Sequence, residues 1–210
     1  TTFLMPITIL GSFKGIKERH TEFYLWLLVL QAAMTGVFLA RDLILFYICF
    51  ELTLVPLYFL IGIFGSANRR WASIKFFIYT LVGSVLMLVA MLALYFKSDH
   101  ETFNVLTLTG LSHGFDLEFQ KWVFLGLFFG FAIKVPVFPF HTWLPDAHVQ
   151  APTAVSMMLA GILLKLGGYG FFRFSYPMAP EIARSETFVL FIGGLGLINL
   201  VYGALCAMAQ

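Results

Sequence analysis

Six apolar runs, each about as long as a lipid bilayer is thick, dominate this sequence and leave it few ways to fold. They cover residues 23–40, 43–65, 76–96, a stretch that begins at Trp122, 153–172 and 187–209. A hydrocarbon core of about 30 Å is crossed by about 20 apolar residues in a helix. The runs are too long for membrane strands and do not alternate with a period of two, whereas a helix satisfies every backbone group inside lipid. The expected fold class is all-α: a polytopic transmembrane helix bundle of six spans, preceded by a helix stub at 2–10. Charge points the same way. Only 11% of the 210 residues are charged and 60% are hydrophobic, against about 25% and about 45–50% in soluble domains, so water cannot be the solvent for most of the surface. The net charge of +2 comes without a basic run, which speaks against nucleic acid as a partner and for the lipid bilayer. The chain opens on Thr1 partway through what reads as a helix, so it is expected to be an internal piece of a longer protein, with no signal peptide pattern.

Loop charges suggest an orientation. Residues 11–22 and 66–75 hold Lys14, Lys17, Arg19, Arg69, Arg70 and Lys75 against Glu18 and Glu22. The alternate loops, 41–42, 97–121 and 173–186, hold five basic and seven acidic residues. The first set is expected on the cytoplasmic side or its equivalent.

The fourth run does not read as a simple helix. After Lys134 it continues Val135-Pro136-Val137-Phe138-Pro139-Phe140-His141-Thr142-Trp143-Leu144-Pro145-Asp146-Ala147-His148. Each proline removes a backbone donor and crowds the preceding turn, so a discontinuous helix is expected near 135–148. Broken backbone at membrane depth has to be packed in protein or line a watered cavity. The alternative is a helix that ends in an ordinary surface loop, with His141, Asp146 and His148 wet.

Three ionisable residues interrupt apolar runs: Glu51, Lys134 and Lys165. Counted from their run starts at about 1.5 Å per residue, Glu51 lies roughly 12 Å deep and each lysine roughly 18 Å deep. A charge at such depth costs at least about 2.5–3.5 kcal/mol, so each is expected to have a partner or a task. One glutamate and two lysines allow one ion pair and leave one lysine over. Burial disfavours an ammonium that lacks a full counter-ion, and a carboxylate that approaches or withdraws changes its hold on a proton. Such a set has the parts of a switchable proton carrier; the alternative is a buried salt bridge that only sets helix register. His141 and His148 carry imidazoles, which titrate near neutrality and suit a relay, or they brace the broken segment by hydrogen bonds. Cys49 and Cys206 lie in apolar runs without a CxxC or Cys/His cluster and read as buried thiols, not as metal, haem or iron–sulfur ligands. Trp26, Trp71 and Trp122 fall near run ends, as interfacial aromatics do, and the Gly167-Gly168 and Gly193-Gly194 pairs allow close helix contact. No phosphate loop, catalytic triad or nucleotide motif is present.

The segment from Lys134 to His148, followed by Ala151-Pro152-Thr153-Ala154 and by Leu159 to Tyr169 (LAGILLKLGGY), resembles the antiporter-like subunits of respiratory complex I, the M or chain 4 type. The stretch Asp42-Leu-Ile-Leu-Phe-Tyr47, then Phe50-Glu51 and Val55-Pro56, and the stretch Tyr79-Thr-Leu-Val-Gly-Ser84 match it too. The resemblance implies a fold with two five-helix units related by an inverted repeat. Residues 1–22 would be the end of a preceding helix and a loop, 23–172 the first unit, and 173–210 a loop and the opening helix of the second. It implies that Glu51 is the essential glutamate, Lys134 the lysine it pairs with, Lys165 the central lysine of a hydrophilic axis, and His141 and His148 polar residues of the broken segment. It implies a proton-translocating subunit of an NADH:quinone oxidoreductase, an enzyme complex whose NADH, FMN, iron–sulfur clusters and quinone are bound by other subunits, with no cofactor or metal in this chain. Implied partners are the other membrane subunits, neighbouring antiporter-like ones included. The implied location is the bacterial cell membrane, with the mitochondrial inner and thylakoid membranes as alternatives. A subunit of a multisubunit sodium/proton antiporter or of a membrane-bound hydrogenase shares the same helix plan and stands as the alternative function.

Overall fold

The computed structural model describes residues 1–13, 15–98 and 102–209. Lys14, counted above among the basic loop residues, and residues 99–101 of the 97–121 loop lie outside the described residues. The described regular structure is helical: α1 (Leu4–Ser12), α2 (His20–Leu39), α3 (Leu43–Leu52), α4 (Leu54–Phe64), α5 (Arg69–Lys97), α6 (Val105–Leu111) and α7 (Leu117–Lys134). α8 (Trp143–Gln150) follows, then α9 (Thr153–Met178), α10 (Pro180–Arg184) and α11 (Glu186–Met208).

Five helical stretches are long and apolar enough to cross a membrane: α2, α3 with α4, α5, α9 and α11. The fourth apolar run is the one not among them. Its helix α7 has 18 residues, includes Glu118, Lys121 and Lys134, and stops where the prolines begin. The fifth helix extends beyond the expected 172 to Met178, so Arg173, read above as a loop residue, lies inside it. It ends where Pro180 disfavours helical geometry at Ala179, whose φ and ψ are −139° and 62°.

The helix starts follow local chemistry. The side chain of Asp42 accepts hydrogen bonds from the Ile44 and Leu45 amides at 2.9 and 3.2 Å, and that of Asn104 from Leu106 and Thr107 at 3.0 and 3.3 Å. Each satisfies donors that a helix start leaves orphaned. The turns sort into two ends of the bundle. At one end the Ser66 amide donates to the Gln150 carbonyl at 2.9 Å and the Asn68 amide to the Gln150 side chain at 3.0 Å. At the other, the Val105 amide donates to Arg41, and the Glu181 amide to the side chain of Gln120. Successive crossings therefore alternate, and the described residues of the two loop sets lie at opposite ends.

α5 acts as a ruler for the broken segment. Reading up α5, Lys75 meets Asp146, Phe76 meets Trp143, Tyr79 meets Thr142, Gly83 meets Ile133, Met87 meets Gly130 and Ala90 meets Gly126. α7 and α8 thus lie in one antiparallel line along α5, and 135–142 form a detour between them. A Cβ on Gly126 would come 2.7 Å from the Ala90 Cβ, and one on Gly130 would come 2.7 Å from the Met87 Cβ. These two glycines, spaced GxxxG, let α5 and α7 touch, as small residues do where lipid removes the hydrophobic drive between helices. Gly167 does the same against Val135 and Phe131, whereas Gly168, Gly193 and Gly194 have no described neighbour within 4 Å of a built Cβ. Trp143, Phe46, Phe50, Phe76, Phe131 and Phe174 form the aromatic centre of the core.

Candidate functional site

Two chain breaks meet in the middle of the bundle. Pro56 lacks an amide hydrogen and crowds the carbonyl four residues back, and the helix is interrupted at Thr53, between α3 and α4. α7 ends at Lys134, just before Pro136. Lys134 follows Ile133, which packs against Gly83 on α5, a position about 21 Å from Arg69 in a helix of about 43 Å.

Lys134 is 1% exposed and Thr53 0%. The Thr53 hydroxyl donates to the Phe50 carbonyl at 2.7 Å, and the Lys134 Nζ donates to the Thr53 Oγ1 at 3.2 Å. The same ammonium lies 4.5 Å from the centroid of the Phe50 ring, a cation–π contact strengthened by the burial of both side chains. Glu51 is two residues before Thr53, and its Oε1 is buried without a hydrogen-bond partner. Tyr47 and Ser84 border the carboxylate, but the Ser84 hydroxyl gives its hydrogen to the Leu81 carbonyl at 3.0 Å. Among the described residues the ion pairs do not include Glu51 with Lys134. No direct ion pair joins them in this arrangement: Lys134 is held by a hydroxyl and a ring, and the carboxylate lies close enough to act on its charge.

The other expected residues are placed less centrally. Lys165 is exposed on α9, and its Nζ donates to the carbonyl of Ala160 in its own helix at 2.6 Å. That carbonyl lies in the π turn Leu159–Leu163, so the lysine caps a widened turn. His141 lies in the break, its Nδ1 buried without a partner and its ring against Phe138 and Tyr202 at 5.6 and 4.9 Å. His148 is not in the break, because the helix resumes at Trp143 and tolerates Pro145 in its first turn. The Ser156 hydroxyl donates to its carbonyl at 2.9 Å and lies 3.1 Å from its Nδ1, joining α8 to α9. Asp146, also helical, pairs with Lys75 at 2.7 Å. Neither histidine has a hydrogen bond to Lys134 among the described residues.

The broken backbone is satisfied in order. Val135 donates to Phe131, Val137 to Ala132, and the Trp143 Nε1 to Ile133 at 2.8 Å. The Phe138 amide donates to the Asn199 Oδ1 of α11 at 2.7 Å. Thr53, Trp143 and Asn199 were not singled out from sequence as site residues. The available signals were Pro56 in the same run as Thr53, and Asn199 as a lone amide in an apolar run. Arg173 was also missed; its Nε is buried in α9 without a partner. Cys49 is half-buried and Cys206 exposed on α11, which corrects the expectation of two buried thiols. Among the described residues no three His, Cys, Asp or Glu side chains are grouped to hold a metal.

A buried lysine at a proline break, a carboxylate nearby and alternating crossings define a polytopic helical membrane module with ionisable groups in its interior. The chain belongs to the family described as NADH:quinone oxidoreductase/Mrp antiporter, transmembrane, whose model matches residues 40–210. Subunit M of the NADH-quinone oxidoreductase of Rhodobacter capsulatus is 49% identical over all of this chain and 42% of its own length. Respiratory complex I from Thermus thermophilus has a chain that superposes with a TM-score of 0.80 at 38% identity, covering 90% of this chain and 39% of that one. A chain of the membrane-bound sulfane sulfur reductase, an archaeal respiratory membrane complex, superposes with a TM-score of 0.85 at 26% identity, covering 97% of this chain and 34% of that one. The chain spans about two fifths of the length of the curated relatives it matches.

Proposed function

We propose that this chain is part of the proton-translocating membrane subunit of an NADH:quinone oxidoreductase, and that Glu51, Lys134 and Lys165 carry the proton. The observation that carries the reading is Lys134, 1% exposed at the helix break, beside a buried and unpartnered oxygen of Glu51. An ammonium that loses its counter-ion in a low-dielectric interior gives up its proton more readily. Redox energy released in other subunits would change the distance between Glu51 and Lys134, and the released proton would pass toward Lys165. His141 and His148 serve as relay positions, His141 in the break itself. Six crossings follow when α7, the detour and α8 count as one, with 23–172 as the first unit of an inverted repeat and 173–210 opening the second. NADH, flavin, iron–sulfur clusters and quinone belong to other subunits, and neighbouring antiporter-like subunits lie beside this one in the bacterial cell membrane.

The test is proton pumping by vesicles that carry the whole complex, with Glu51→Ala and Glu51→Asp compared with the native subunit. Loss in alanine and retention in aspartate is expected; normal pumping in both sinks the reading. The likeness to the sulfane sulfur reductase chain favours a second reading, the same module driven by a different redox reaction. Higher identity to the complex I chain supports the first, and NADH-driven quinone reduction by the purified complex separates them.

A further inference from the structure

We propose that Thr53 and the ring of Phe50 form a neutral docking position for the Lys134 ammonium, so that this lysine alternates between Thr53 and the Glu51 carboxylate. The inference rests on the proton-transfer reading above and adds Thr53 to it as a positioning residue. The position is built before the lysine arrives. The Thr53 hydroxyl bonds back onto the Phe50 carbonyl at 2.7 Å, so its hydrogen is committed and its oxygen is left to accept. Lys134 comes from a helix 81 residues away in sequence and places its Nζ 3.2 Å from that oxygen. Both residues are fully buried, so no solvent competes for the contact. The Phe50 face, 4.5 Å from the ammonium, supplies the second contact.

A hydroxyl and a ring hold a cation more weakly than a carboxylate does, which allows the lysine to leave. Its destination lies two residues back along the same span, where the Glu51 Oε1 is buried with no donor. A buried acceptor left unmet is costly, and the flexible four-carbon stem of lysine is suited to move the ammonium between the two oxygens. Without the Thr53 oxygen the Lys134 charge keeps only the Phe50 ring against the pull of the carboxylate, and is expected to stay with the carboxylate.

The experiment uses the full-length subunit in the assembled complex, reconstituted in vesicles and driven by its redox reaction. Thr53→Val keeps the shape and removes the acceptor, Thr53→Ser keeps the acceptor, and Lys134→Met reports on the reading beneath. Pumping is expected to fall on the order of tenfold in Thr53→Val, as a lost hydrogen bond to a charged group implies, to stay near native in Thr53→Ser, and to vanish in Lys134→Met. Native pumping in Thr53→Val with none in Lys134→Met overturns the docking position and leaves the proton-transfer reading standing. Equal losses in the valine and serine variants reduce Thr53 to packing and also overturn it. Native pumping in Lys134→Met removes both. If Thr53→Val does not assemble, Phe50→Leu tests the same position: a several-fold loss supports it and native pumping overturns it.

Discussion

At the scale of single residues, the broken segment depends on side chains that replace missing backbone partners. Trp143 is 0% exposed and its Nε1 holds the Ile133 carbonyl, the group just before Lys134. Trp143→Phe would keep the ring contact with Phe76 and leave that carbonyl without its indole donor. A cost of about 1–3 kcal/mol is expected, seen as a lower thermal midpoint of the complex and a several-fold slower proton flux. Asn199 is the counterpart across the bundle. Asn199→Leu leaves the Phe138 amide without the acceptor it has at 2.7 Å, and a loss of similar size is expected in the same melting measurement. Unchanged midpoints in both variants would show that water satisfies these groups as well as the side chains do.

At the scale of helices, the two proline breaks and the GxxxG contact set the geometry of the site. Pro56 interrupts the second span at Thr53, and Pro56→Ala would restore an amide donor to that span. Removing a proline from a helix interior relieves about 3 kcal/mol, so the complex is expected to be no less thermostable. Pumping is expected to slow, because closing the break shifts the Thr53 oxygen relative to Lys134, which it meets at 3.2 Å. Native pumping with a straightened helix would count against the break as a functional device. Gly126 and Gly130 bring α7 against α5. Gly130→Leu forces the helices apart at the level of Met87, and overpacking of about 1–3 kcal/mol or more should lower the yield of assembled complex on native gels.

For the molecule as a whole, the broken span is kept in register by its line of contacts along α5, closed at one end by Lys75 and Asp146 at 2.7 Å. Both side chains are partly exposed, so the pair is worth at most about 1 kcal/mol. Either single neutral variant should therefore lower the thermal midpoint only slightly, and the charge-swapped double variant should recover most of it. A loss well above that size would mean that the pair bears on proton transfer as well as on register. Much of this architecture was legible in the sequence. Apolar run length marks the stretches that can cross a bilayer, because lipid offers the backbone no hydrogen bonds; the fourth run departs from it, its helix stopping at Lys134. Proline spacing determines where a helix cannot continue, because the amide is missing. Cost at depth marks Glu51, Lys134 and Lys165 as residues that need a reason. Which partner each charge takes was decided only by the tertiary structure. Lys134 is held by Thr53, 81 residues away, and Lys165 turns to a carbonyl of its own helix. These choices depend on the direction in which each broken helix end points, and run length and charge carry no information about direction.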